Sequence, residues 1–199
     1  MREVILFCED SFHEKFVGSL LRRFEGHYGV PVNPRFLSAQ GGVPQMHGEF
    51  KQFLRDLAND RTSLPDSIIA VRDANCRSYN EAKQTLEDVV RSYPQFQPLV
   101  SYAIPDPHIE PWMLADAKAF QSVFGRGCTV PAIKCQKNEY KKLLRKEISD
   151  CGIDPALGGL EFAEDIVQKM DLGQMERRER SLGSFLKDLK ALFNRWSSR

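Results

Sequence analysis

No stretch of the chain approaches the roughly 20 consecutive apolar residues that a membrane-spanning helix needs. The opening segment MREVILFCED passes straight into a strand pattern, without the charged, apolar and small-residue regions of a secretory signal. A cytoplasmic location, off the membrane, is therefore expected. Cysteine is sparse and scattered: Cys8, Cys76, Cys128, Cys135 and Cys151 contain no CxxC pair, and no histidine sits at zinc-finger spacing. Reduced structural thiols are expected, since a metal shared by Cys128, Cys135 and His108 would lack a fourth ligand. A GxxxxGK[ST] phosphate loop is also missing, which excludes ATP hydrolysis by that route. Charge of either sign is not in excess: 28 Lys and Arg face 27 Asp and Glu, for a formal net charge of +1. Nucleic acid would have to be held by a local basic patch, because there is no global attraction.

What is present is an ordinary globular composition, 42% hydrophobic and 28% charged, over 199 residues. That length supports one core with a modest appendage. Residues 4–8 (VILFC) form an unbroken apolar run, the pattern of a strand buried on both faces of a parallel sheet. Ser11 to Glu14 spell a capping box, followed by Phe12, Phe16, Leu20, Leu21 and Phe24 at helical spacing up to the glycines at 26 and 29. A second strand is predicted over 32–37. After the turn-rich AQGGVPQMHG a second amphipathic helix carries Phe50, Phe53, Leu54 and Leu57. SIIAV (67–71) predicts a third strand, Asn80 a cap for a third helix, and 99–104 a fourth strand. IEPWMLADAKAF reads as one further helix with Pro111 in its first turn. From Asn138 on the pattern is helical: NEYKKLLRKEISDCG with Gly152 as its stop, LEFAEDIVQKMDL, and SFLKDLKALFNRW, with GQMERRERS as an exposed connection. The fold class is thus α/β, a mostly parallel sheet flanked by helices (1–130), with a helical extension (131–199) packed on it.

In such sheets ligands bind beyond the carboxyl ends of the strands. Glu9 and Asp10 follow the first predicted strand, Asp73 the third, and Glu110 the fourth after a short loop. Carboxylates gathered there repel one another unless a cation or proton compensates, so a hard divalent ion is a natural partner. Each acidic residue also has a simpler role: Glu14 as the capping-box partner of Ser11, Asp10 and Glu110 as complements to helix dipoles, and Asp73 in a bond to its own backbone. Trp112 and Leu114 read as core and Asp116 as solvated. His13, His27, His47 and His108 show no ligand spacing and read as surface or loop.

FCEDSFHEKF resembles the first motif of Toprim domains, VRDANC their DxD motif, and IPDPHIEPWMLAD the later acidic segment of a Toprim-like family related to overcoming-lysogenisation-defect-type nucleases. Gly41 and Gly42 fit the same pattern, and the resemblance spans 4–120. It implies catalytic roles for Glu9, Asp73 and Glu110, and a Mg²⁺ or Mn²⁺ site made by these with Asp10 and Asn75. The chain departs from the family in having Asp10 where glycine follows the glutamate, and Asn75, an uncharged ligand, in place of the second aspartate. The resemblance further implies hydrolysis of phosphodiester bonds in DNA or RNA, a partner ATPase in bacterial defence against phage, and compatibility with a homodimer. Arg72, Arg77, Lys134, Lys137, Lys141 and Lys142 are the cations placed to meet a nucleic-acid backbone. Two other functions fit the same residues: a non-catalytic Toprim-like binding module, and a phosphoacceptor receiver domain using Glu9, Asp10 and Asp73.

Overall fold

The computed structural model describes residues 1–39, 43–60, 64–129, 135 and 138–198, with the side chains of 43 and 44 left aside. The run at 4–8 becomes β1 (Arg2–Cys8), flanked by β2 (Val32–Ser38) and β3 (Ser67–Val71), with β4 (Val100–Ala103) beyond β3. All three pairings are parallel, with Val4 opposite Pro34 and Ser67, and Ile68 opposite Val100. β1 and β3 are apolar on both faces because both faces are covered.

Side chains alternate across the pleat, so the two faces hold separate apolar clusters. Val4, Leu6, Cys8, Ile69 and Val71 pack with Phe16, Val17, Leu20, Leu21 and Phe24 of α1 (Ser11–Tyr28). Phe7, Ile68 and Ala70 pack on the opposite face with Phe50 and Leu54 of α2 (Val43–Asn59), and with Leu86, Val89 and Val90 of α3 (Tyr79–Arg91). The expected single core is therefore two, separated by the sheet.

After β4 come α4 (Glu110–Leu114), α5 (Ala117–Phe124), α6 (Glu139–Ser149), α7 (Ala163–Lys169), α8 (Leu172–Arg178) and α9 (Arg180–Ser197). Phe185, Leu186, Leu189 and Phe193 of α9 belong to the same cluster as Val4, Leu6 and Ile69, and α9 packs directly on α1 and β4. Beyond 131, α9 thus shares the covering of one sheet face with α1, and α7 packs on α1 and α5 behind it.

Several local expectations are corrected. Asp10, rather than Ser11, caps α1: its Oδ1 accepts Phe12 N–H (2.9 Å) and His13 N–H (3.2 Å), while Glu14 accepts the hydroxyl of Ser38. Ser78 caps α3 in a reciprocal capping box with Glu81, in place of Asn80. The helix expected over 109–120 is two, because Asp116 is 4% exposed and caps α5, accepting Lys118 N–H and Ala119 N–H and also Asp171 N–H at 2.7 Å. It is a buried junction rather than a solvated residue. GQMERRERS is largely helical, forming most of α8 and the start of α9. No helix among the described residues is long and apolar enough to cross a membrane.

Where α8 and α9 meet, a Cβ at Gly183 would fall 2.4 Å from the Glu176 carbonyl oxygen, so the contact requires glycine. Gly183→Ala is expected to cost about 1–3 kcal/mol through forced separation of the two helices, read as a lowered denaturation midpoint with unchanged slope.

Candidate metal centre

The order β2-β1-β3-β4 reverses its winding between β1 and β3, which opens a crevice at their carboxyl ends. Glu9 and Asp73 stand on its two sides. The backbone continues the ladder past the strands: Glu9 N–H donates to Val71 O (3.0 Å), Ala74 N–H to Pro105 O (2.8 Å) and Asn75 N–H to Pro107 O (2.9 Å). These bonds draw the loop after β4 alongside the β3 extension and set His108 and Glu110 against Asp73.

Asp73, 6% exposed, is held by two imidazoles: His13 Nε2 lies 2.9 Å from Oδ1 and His108 Nδ1 2.9 Å from Oδ2. The other nitrogen of His13, Nδ1, lies 2.7 Å from Asp10 Oδ1. With a carboxylate on each nitrogen, His13 is an imidazolium, because both nitrogens must donate. Burial opposes that charge, but Asp73 and Asp10 outweigh it and hold His13 well above its ordinary value. Burial likewise pushes Asp73 up, and the charge and hydrogen bonds of His13 and His108 reverse it to a net lowering. Asp10 follows the same course, lowered by His13 against its own burial. His108 is raised chiefly by its bond to Asp73.

Glu9 and Glu110 are shifted the other way, both raised first by burial and then by the nearby charge of Asp73, against the opposing pull of His13 on Glu9. Glu9 Oε2 accepts Asp73 N–H at 3.1 Å. Glu110 is 1% exposed, and its Oε1 is the only buried side-chain oxygen or nitrogen without a hydrogen-bond partner among the described residues. Such an orphan is costly in a protein interior. Two donor sets have ligand atoms within 4.8 Å of one another, Glu9 with His13 and Asp73, and Asp73 with His108 and Glu110. Acidic and histidine groups that can hold a metal ion are therefore present, and the orphaned Glu110 oxygen and oxygen-rich donors suit a hard cation.

Glu9, Asp73 and Glu110 are thus brought to one place, though as two overlapping groups sharing Asp73. The expectation for the histidines is overturned: His13 is 1% exposed and His108 touches Asp73. A signal existed, because His13 lies one helical turn past Asp10 on the side facing the strand end, and His108 stands two residues before Glu110. Asn75, expected as a ligand, adopts φ 52° and turns its amide nitrogen to the Asp73 carbonyl at 3.3 Å.

Arg72, expected at a nucleic-acid backbone, is 2% exposed, with Nε 3.4 Å from the Asp73 carbonyl oxygen, and is buried near Glu9. Arg77 is exposed, and so is Lys141, whose charge reaches Asp10 and Glu110. Lys142 is exposed and paired with Glu139 at 2.8 Å. Lys134, Lys137, Gly41 and Gly42 lie outside the described residues.

The thiols also differ from expectation. Cys76 and Cys135 form a disulfide across 59 residues, with Cα atoms 5.6 Å apart, because the β3 extension and the chain before α6 converge beside His108. Cys8, Cys128 and Cys151 are free, as expected, and the Cys128 thiol is directed to Leu114 O. No family model, curated protein or solved structure matches the chain.

Proposed function

We propose that the chain is a Toprim-like, Mg²⁺- or Mn²⁺-dependent hydrolase of phosphodiester bonds in DNA or RNA, working as the effector of a partner ATPase. The observation that carries the metal dependence is the buried, unpartnered Oε1 of Glu110 beside Asp73 and His108. Glu9, Asp73 and Glu110 would hold the ion. When bound, a hard divalent ion polarises a phosphate oxygen and lowers the pKa of its water. Glu9, with its raised proton affinity, can accept or return a proton at the crevice mouth. Lys141 and Arg77, both exposed, are the cations available to a phosphate backbone. Because the His13 imidazolium offsets Asp73, an ion that takes its place there releases a proton, so binding tightens as pH rises.

A second reading, a non-catalytic binding module, is favoured by one specific observation: the His13 imidazolium already pairs with both Asp10 and Asp73 without a metal. Incubation of labelled single- and double-stranded DNA and RNA with Mg²⁺ or Mn²⁺ separates the two. Cleavage that falls at least 100-fold in Glu110→Gln, in the range seen for loss of one charge-stabilising group, is the expected outcome. Cleavage unchanged in that variant would remove Glu110 from the site, and metal binding without cleavage would favour the module.

A further inference from the structure

His108 faces two ways. Its Nδ1 lies 2.9 Å from Asp73 Oδ2, and its Nε2 lies 3.8 Å from Cys135 Sγ. Cys76 Sγ completes a group whose three ligand atoms lie within 4.8 Å of one another. For tetrahedral coordination the sulfur and nitrogen ligands of one zinc ion stand about 3.6 Å apart, given metal bonds of about 2.3 and 2.0–2.1 Å. The His108–Cys135 separation is close to that edge. Sulfur and imidazole together select a thiophilic ion over Mg²⁺, which prefers oxygen. The ring is also already oriented, because histidines that bind zinc commonly give their other N–H to a carboxylate, as His108 Nδ1 is placed to do with Asp73.

We propose that, once the Cys76–Cys135 disulfide is reduced, Cys76, Cys135 and His108 Nε2 bind one zinc-class ion at a site separate from the Glu9 and Glu110 carboxylates. Reduction by a dithiol delivers two electrons and two protons, so the sulfur–sulfur bond breaks to two thiols while the dithiol closes to its own disulfide. The ion then displaces the two thiol protons and forms two metal–sulfur bonds and one metal–nitrogen bond. Three protein donors leave a fourth position for water, and Cys76 lies at the exposed edge of the group. The site does not depend on phosphodiester hydrolysis and stands or falls separately from it.

The test uses the full chain, reduced with a dithiol and freed of it, and titrated with Co²⁺ as a coloured stand-in for Zn²⁺. Thiolate-to-cobalt charge-transfer absorption saturating at one ion per chain, bleached by Zn²⁺ and indifferent to excess Mg²⁺, is expected. Cys76→Ser with Cys135→Ser should abolish it, whereas Cys128→Ser and Cys151→Ser should leave it intact. His108→Ala should keep the thiolate band but weaken binding by more than the roughly 10–100-fold expected for losing an outer-shell partner. Absence of the band in reduced protein with its thiols intact, or its persistence in the double serine variant, overturns the site.

Discussion

Asp73→Asn is expected to destabilise the protein by about 3–5 kcal/mol, the range for removing one partner of a buried ion pair, and to abolish divalent-ion binding at the carboxylates. Asp73 is 6% exposed and accepts from two imidazoles, of which His13 is fully enclosed. An asparagine can accept one of those bonds but offers a donor to the other and carries no charge. The size of the loss depends on pH in a defined way. The lowered pKa of Asp73 means that its contribution is present above the ordinary value of 3.8 and is lost as pH falls through the folded value. The raised pKa of His13 means that its contribution is full below 6.5 and is lost as pH rises through the folded value. Urea unfolding of the two proteins across pH should therefore show the widest gap between those two transitions and convergence beyond either. A constant gap at all pH values would mean that the pair is not ionised as described.

His13→Gln is expected to cost about 3 kcal/mol near neutral pH. The loss should be smaller than for Asp73→Asn, since Asp73 keeps His108, and the Asp10 side chain, 44% exposed, can rehydrate. The native protein should lose stability as pH rises through the raised His13 value, and the variant should lack that limb. Glu9 and Glu110 slope the same way at lower pH, because their raised values make ionisation unfavourable in the folded state. Their limb should persist in the variant and flatten when Mn²⁺ is added. An ion competing with the imidazolium for Asp73 should stabilise the variant more than the native chain. At 100 times its dissociation constant a ligand adds about 2.7 kcal/mol, so midpoints at matched Mn²⁺ decide the matter. Equal stabilisation of both proteins would separate the ion's site from His13.

Much of the scaffold is legible in the residues. VILFC and SIIAV are too short and too evenly apolar for surface helices and read as strands covered on both sides, and their alternation with Phe16, Leu20 and Phe24 or with Leu86 and Val90 points to a parallel sheet between helices. The strand-end positions of Glu9 and Asp73 follow from the same pattern, which is why they are found together. What was not legible depends on contacts distant in sequence. The Asp10 to His13 spacing turns His13 toward the strand end, but nothing local says which distant aspartate it meets there, 60 residues away, or that Cys76 meets Cys135. The polarity of GQMERRERS suggests a loop, yet Met175 packs inward and Asp171 and Glu179 cap the flanking helix starts. Asp116 misled for a related reason: a carboxylate inside an apolar stretch can be buried when three backbone N–H groups converge on it.

The placement of α9 has a consequence for how the chain comes to be folded. During synthesis β1 to β4 and α1 to α3 are made first, and the face bearing Val4, Leu6, Ile69 and Val71 then has only α1 to shelter it. Phe185, Leu186, Leu189 and Phe193 arrive only after α4 to α8 have been made, several seconds later at roughly 5–20 residues per second. Until then a nascent chain presents a sticky half-dressed sheet, so stop codons or proteolytic nicks after residue 129 should yield aggregating fragments rather than a smaller working protein.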